Sequence, residues 1–239
     1  MGEPRNDITL GLLGGFKLAC GNGVLLPRGA QRLLAFLALQ DDGAPRVTAA
    51  ERLWPDCSPD RAASNVRSAL HHAKQAGGQL IDRIGPRLQL SPAVRVDLNE
   101  VWQRANRLFE PDTATHLPNS SNGIVNDLCR ELLPDWSDDW VLAHRDRWDQ
   151  LRMHALEVLA RHSLEREEYS AALQTALTAV TIDPIRETAH CIVMEIYIAE
   201  GNLGNALKHF QSYRSVLHRE IGAAPSRRIT ELARDLMQN

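Results

Sequence analysis

Between Pro59 and Ala76 the sequence reads PDRAASNVRSALHHAKQA. At 3.6 residues per turn, Arg61, Ser64, Asn65, Ser68, His71, His72 and Gln75 fall on one side of a helix. Arg67 and Lys74, two full turns apart, share a flank of that side. Arg, Asn and Gln can pair with base edges, Ser with bases or phosphates, and Arg and Lys neutralise phosphate charge. An acidic or apolar outer face would exclude duplex DNA, and this face is neither. Ala62, Ala63, Val66, Ala69, Leu70 and Ala73 form the opposite, apolar stripe expected to meet a core.

Positive charge on the polar face is thin. Arg28, Arg32, Arg46 and Arg52 on the preceding elements can add to it. Arg83 and Arg87 flank a Gly85-Pro86 turn, where a wing would reach the minor groove. Residues 28–95 hold 10 Lys and Arg against 6 Asp and Glu, so the region is mildly basic. The alternative for these side chains is a solvated polar face with no ligand. His71 and His72 point about 100° apart on a helix, so they cannot bind one ion as an i, i+4 pair would, and no metal is expected there.

The surrounding elements give this helix a context. Ile8, Leu10 and Leu12, then Phe16, Leu18 and Cys20, alternate with polar or small residues, punctuated by Gly14-Gly15 and Gly21-Asn22-Gly23. That reads as a small antiparallel sheet with tight turns. GLLGGF lacks the glycine spacing of a dinucleotide loop and opens no helix, so no nucleotide cofactor is expected. Residues 29–40 carry Leu33, Leu34, Leu37 and Ala38 at helical spacing, ended by Gly43 and Pro45. Thr48 is the expected N-cap of a short second helix that Pro55 stops, and Ser58 that of a third with Pro59 at its first position. QLIDRI and RLQLS around Gly-Pro predict a hairpin, followed by VRVDL. The order of strands, three helices and a hairpin over residues 1–97 predicts a winged helix-turn-helix behind an N-terminal sheet.

From residue 98 to 239 the pattern is helical. Helices are expected at EVWQRANRLF, at IVNDLCREL and from about Asp138 to Glu165, with a polar loop over residues 110–123. Tyr169, Ala172, Ala176 and Ala179 recur 34 residues on as Leu203, Ala206, Phe210 and Tyr213; Ala160 pairs with Met194 and Ser163 with Tyr197 at the same offset. That period marks tetratricopeptide-like helix pairs, with Pro184 where one unit ends. The fold class is thus mainly α with a small β component, in two domains, 1–97 and 98–239.

Composition narrows the function classes. Hydrophobic residues make up 44% and charged residues 24%, which fits a globular core. Residues 1–97 carry 12 basic and 9 acidic side chains, residues 98–239 carry 15 and 21, so the halves are expected to meet different partners. No secretory signal, lipid anchor or spanning segment is read, and a cytoplasmic location without membrane partners is expected. Cys20, Cys57, Cys129 and Cys191 are scattered and read as reduced, buried small hydrophobes. Trp54 is expected in the core, and Trp136, Trp140 and Trp148, at spacings of 4 and 8, as packing between the domains. No nucleophile, phosphate-loop or metalloprotease motif is present, so an enzyme is not expected.

LLGGFKL (12–18), QRLLAFLAL (31–39), LWPD (53–56) and SNVRSALHHAK (64–74), together with residues 131–229, resemble bacterial transcriptional activators of the antibiotic regulatory protein type. The resemblance covers nearly the whole chain. It implies a response-regulator-type winged helix fused to a tetratricopeptide-like activator domain. It also implies double-stranded promoter DNA and RNA polymerase as partners, pairing with a second copy, and a role in secondary-metabolism regulation. Asn65, Arg67 and Ser68 match the family's Asn-Leu-Arg-Gln stretch, and Lys74 an arginine near the helix end. His71-His72-Ala73-Lys74 departs from the commoner Ser-Arg-Leu-Arg and lowers the positive charge. On this reading Arg61, Ser64, Asn65, Arg67, Ser68, His71, His72 and Lys74 face the major groove, with Arg46, Arg83 and Arg87 in support. The alternative is a helical-repeat adaptor whose degenerate winged helix meets protein.

Overall fold

A computed structural model describes residues 8–20, 25–110 and 122–238. The Gly21-Asn22-Gly23 turn and most of the polar loop read over 110–123 lie outside the described residues. The chain forms two compact units, residues 1–102 with 130–148, and residues 103–129 with 149–239.

The first unit opens with β1 (Ile8–Gly11) and β2 (Lys17–Ala19), then α1 (Arg28–Ala38), β3 (Ala44–Pro45), α2 (Arg46–Leu53) and α3 (Pro59–Gln75). It continues with β4 (Ile81–Ile84), β5 (Arg87–Leu90), β6 (Val94–Val96) and the start of α4 (Asp97–Arg107). One sheet has the order β2-β1-β6 and the other β3-β5-β4. β1 pairs antiparallel with β2 (Thr9 opposite Ala19) but parallel with β6 (Ile8 opposite Val94), so the first sheet is mixed and not purely antiparallel. A strand that returns after a helical crossover can lie parallel to the first, and the alternation of residues in β1 and β2 carries no sign of it. β4 and β5 form the expected hairpin about Gly85-Pro86, with Arg83 opposite Leu88.

α4 and α5 start three and two residues before the expected positions, and α2 starts differently in kind. α2 begins at Arg46 with Pro45 at its N-cap, so Thr48 lies inside the helix. Proline's fixed φ presets the turn that the threonine was expected to cap. Ser58 does hold the N-cap position of α3, with Pro59 first and Asp60 in the first turn, although its hydroxyl makes no capping bond.

Residues 130–148 belong to this same unit. Leu133 N–H donates to Leu12 O at 3.0 Å and Gly14 N–H to Glu131 O at 2.7 Å. Asp97 accepts from the amides of Leu12 at 2.8 Å and Leu13 at 3.2 Å and from Leu98 at its own helix start. Arg145 donates to the carbonyls of Leu132, Leu133 and Trp136, and Trp148 Nε1–H to Arg130 O at 2.9 Å. Trp136, Trp140 and Trp148 are buried within this unit: Trp136 stacks on Phe16, Trp140 meets Phe36 edge-on, and Trp148 lies 6.1 Å from Trp102. Phe16 and Phe36 lie in residues 1–97 and Trp136 and Trp140 in residues 98–239, so these two rings make the packing expected between those stretches, while Trp148 meets Trp102. Trp54 is half-buried.

In the second unit, α5 (Asn122–Leu128) stops four residues short of the expected helix, because the chain turns away there and Leu132 bridges Leu13. There follow α6 (Asp139–Glu165), whose first ten residues belong to the first unit, α7 (Tyr169–Ile182), α8 (Glu187–Ala199), α9 (Leu203–Ile221) and α10 (Arg227–Gln238). The 34-residue repeat is visible in the backbone. Glu168 N–H donates to Ser163 O at 2.9 Å, and Asn202 N–H to Tyr197 O at 2.7 Å. Glu167 and Gly201, just before these amides, both adopt positive φ, 60° and 82°. Ala172 and Ala206 are fully buried, letting the paired helices approach closely. Of the four thiols only Cys191 is buried; Cys20 and Cys57 are half-buried and Cys129 is exposed. Among the described residues no helix is long and apolar enough to cross a membrane.

Candidate nucleic-acid interface

α3 carries the candidate site because its two faces are chemically distinct. Ala62, Val66, Ala69, Leu70 and Ala73 are buried against the unit's core, while Ala63 is only half-buried. Small residues on this face let α3 lie close to α1 and α2. Arg61, Ser64, Arg67, Ser68, His71, Lys74 and Gln75 are exposed. Among the described residues Arg61, Arg67 and Lys74 make no ion pair, so their charge is available to a ligand.

Two of the expected residues sit lower on the helix. Asn65 is half-buried, its Nδ2 3.9 Å from Cys57 Sγ in the turn before α3. His72 is half-buried and meets His71 edge-to-face at 5.8 Å. Both positions border the apolar stripe.

The hairpin adds two arginines with different surroundings. Arg83 on β4 is exposed and makes no ion pair among the described residues. It lines an open groove of about 500 Å³ with Lys74, Leu70, Ala73, Gly78, Leu80 and Ile81, so the end of α3 and the wing present a cation each to one depression. Arg87 on β5 instead reaches back to the turn after α1. Its Nε–H donates to Asp42 O at 3.3 Å and its Nη2 to Asp42 O at 3.1 Å and Gly43 O at 3.0 Å. Arg46, half-buried at the start of α2, donates its amide to Pro86 O at 3.0 Å. The structure thus brings Arg61, Ser64, Arg67, Ser68, His71 and Lys74 onto one exposed helix face with Arg83 beside its end. Arg46 and Arg87 lie across the β3–β5 seam.

A second cluster of polar side chains escaped the sequence reading. His190 on α8 is buried, with Nδ1 3.0 Å from His209 Nε2 on α9 and Nε2 3.0 Å from Pro184 O. Tyr213 stacks on His190 at 4.1 Å between ring centres, and its hydroxyl donates to Glu187, which also accepts from Ser226. Burial lowers the pKa of both histidines. His209, beside His190, falls to about 4, while for His190 the Pro184 carbonyl, Asp183 and Glu187 oppose the shift. Burial pushes the Cys191 thiol up to about 11. The only sequence signal was Tyr213 as a repeat position. Among the described residues no group of three or more His, Cys, Asp or Glu could hold a metal ion.

Residues 130–237 match the family model of the bacterial transcriptional activator domain. No curated protein matches the chain. Among solved structures, Mycobacterium tuberculosis EmbR, determined in complex with a low-affinity phosphopeptide, superposes with a TM-score of 0.75 at 16% identity. The match covers 97% of this chain and 65% of that one, so this chain spans about two thirds of the length of that protein. At this identity the likeness is one of fold. It bears out the winged helix followed by helical repeats.

Proposed function

We propose that this chain, a bacterial transcriptional activator of the antibiotic regulatory protein type with its activator domain over residues 130–237, reads promoter DNA through α3. α3 enters the major groove; Arg61, Ser64, Asn65, Arg67, Ser68, His71, His72 and Lys74 meet bases and phosphates, and Arg83, Arg87 and Arg46 serve the wing and its seat. The division of labour follows the sequence: residues 1–97 meet DNA, and the more acidic residues 98–239 meet RNA polymerase or a second copy in the cytoplasm. No catalytic step is assigned.

The observation that carries this reading is that, among the described residues, Arg61, Arg67 and Lys74 make no ion pair on the exposed face of a helix whose other face is buried. A face with only these cations supports base reading backed by a modest phosphate term, because each neutralised phosphate contributes roughly 0.9 to the slope of log affinity against log salt.

Titration of the protein into duplex from its own upstream region, beside a scrambled duplex, tests it. Preference for the upstream duplex should persist as salt rises, and Arg67→Ala with Lys74→Ala should lower the slope by about two. Equal and salt-fragile binding to both duplexes, or none, would leave the adaptor reading in its place.

A further inference from the structure

The two wing arginines, equivalent in sequence, are not equivalent in surroundings. β3 is only two residues long. The ladder between β3 and β5 is correspondingly short, with Ala44 opposite Leu88 and Pro45 opposite Arg87. Just before it the backbones close to the limit. Gly43 has φ +63°, and a Cβ there would stand 2.3 Å from Leu88 O, so only glycine admits the approach. Among the described residues no backbone N–H donates to the carbonyls of Asp42 or Gly43. Arg87 supplies their donors from Nε and Nη2.

We infer that Arg87 is a positioning residue which fixes the wing hairpin to the turn ahead of the helix-turn-helix, while Arg83 is the wing's phosphate contact. This rests on the DNA-binding reading above. A planar guanidinium can reach both carbonyls from one side chain; an ammonium on a flexible stem cannot hold the same fork. The seam also carries the Arg46 amide to Pro86 O, so it links the wing tip to the first residue of α2. Fixing the wing here fixes Arg83 relative to Lys74 across their shared groove.

The test uses the full chain with Arg87→Ala, Arg87→Lys and Arg83→Ala, read by two measurements. The first is duplex affinity over a salt series. Both Arg87 variants should weaken binding by roughly three- to tenfold with the salt slope unchanged, since hydrogen bonds within the protein are lost and no phosphate contact is. Arg83→Ala should lower the slope by about one. The second is amide exchange. Both Arg87 variants should speed exchange at Ala44, Arg46 and the β4–β5 hairpin, and Arg83→Ala should not. An Arg87→Lys variant that binds and exchanges like the parent overturns the inference, because lysine would serve a phosphate as well as arginine. A slope lowered by one in Arg87→Ala, with exchange unchanged, overturns it equally. If the parent binds no duplex, the DNA reading fails by itself. Exchange then decides alone: faster exchange in Arg87→Lys supports the clamp, and unchanged exchange overturns it.

Discussion

His71 and His72 are sequence neighbours on α3, their rings 5.8 Å apart and edge-on, with His71 exposed. His190 and His209 are nineteen residues apart, yet their ring nitrogens meet at 3.0 Å between α8 and α9. The same contrast separates the wider surroundings. α3 turns most of its polar side chains outward, and among the described residues its Arg61, Arg67 and Lys74 make no ion pair. The helical repeat turns polar groups inward and pairs them: Arg186 with Glu157 at 2.6 and 3.1 Å, Arg161 with Glu195 at 2.9 Å, Glu187 with Tyr213 and Ser226. Polar residues on α3 are free to answer a ligand, and those of the repeat specify its own packing. Substitutions in the two regions should therefore differ in kind: the first should alter binding with little effect on stability, and the second the reverse.

The largest expected effect is at Arg186. Glu157 is buried, its side chain 9% exposed, and Arg186 is its bidentate partner. Arg186→Met leaves that carboxylate buried and unpaired and should cost about 3–5 kcal/mol in urea unfolding at neutral pH. Arg67→Met on α3 should change stability by about 0.5 kcal/mol or less. Equal costs at the two sites would erase the contrast between the regions.

Acid should act on the repeat next. The folded pKa of His209, about 4, lies below the ordinary histidine value of 6.5, and that of His190 is lowered too. The unfolded chain therefore takes up protons first as pH falls. Stability is unaffected by the pair above about pH 6.5, declines below it, and reaches its full loss once pH is under the folded value. The geometry agrees. Nε2 of His190 donates to Pro184 O, so its Nδ1 accepts from His209 when the pair is neutral, and two imidazolium rings would oppose N–H groups at that contact. The elements around the pair bring Asp183 and Glu187 from the start of α8 and the turn before it, and Tyr197 and Tyr213 from α8 and α9. From pH 7.5 to 4.5 the His209 shift alone should remove about 2–3 kcal/mol. His209→Gln should show that much less acid dependence than the parent. An identical pH profile in the variant would sink this account.

How much of this was legible beforehand follows the same division. The apolar stripe of α3, the wing hairpin and the 34-residue repeat are periodic, and periodicity survives in sequence. Residues 130–148 show the opposite. Nothing in the sequence marks Arg145 as the donor to three carbonyls, or Asp97 as the acceptor for Leu12 and Leu13, because those partners are 9–13 and 84–85 residues away. In α3 the wheel placed Asn65 and His72 on the outer side, but a wheel has no depth, and both border the core. At the wing, charge made Arg83 and Arg87 alike; only the close approach at Gly43 and the carbonyls of Asp42 and Gly43 distinguish them, and neither is visible without the β3–β5 register.

The smallest expected effect lies inside the repeat, where two equivalent turns solve one problem differently. Glu167 and Gly201 occupy the same repeat position and both have positive φ. Gly201 is exposed, and a Cβ there would meet no atom within 4 Å. Gly201→Ala therefore adds only backbone strain to the folded chain, about 1 kcal/mol for an L-residue in the left-handed region, and the narrower unfolded ensemble offsets about 0.4–1 kcal/mol of it, so the net cost should fall between zero and about 0.6 kcal/mol. At Glu167 the strain is already present. Glu167→Gly should relieve it, but glycine also widens the unfolded ensemble by about 0.5–1 kcal/mol, so the net change should fall between zero and a few tenths of stabilisation. Thermal unfolding of the two variants against the parent measures both signs. A Gly201→Ala variant more stable than the parent by about 0.5 kcal/mol or more would mean that the second turn does not need the left-handed residue, and that the matching amides of Glu168 and Asn202 do not hold the two turns in one geometry.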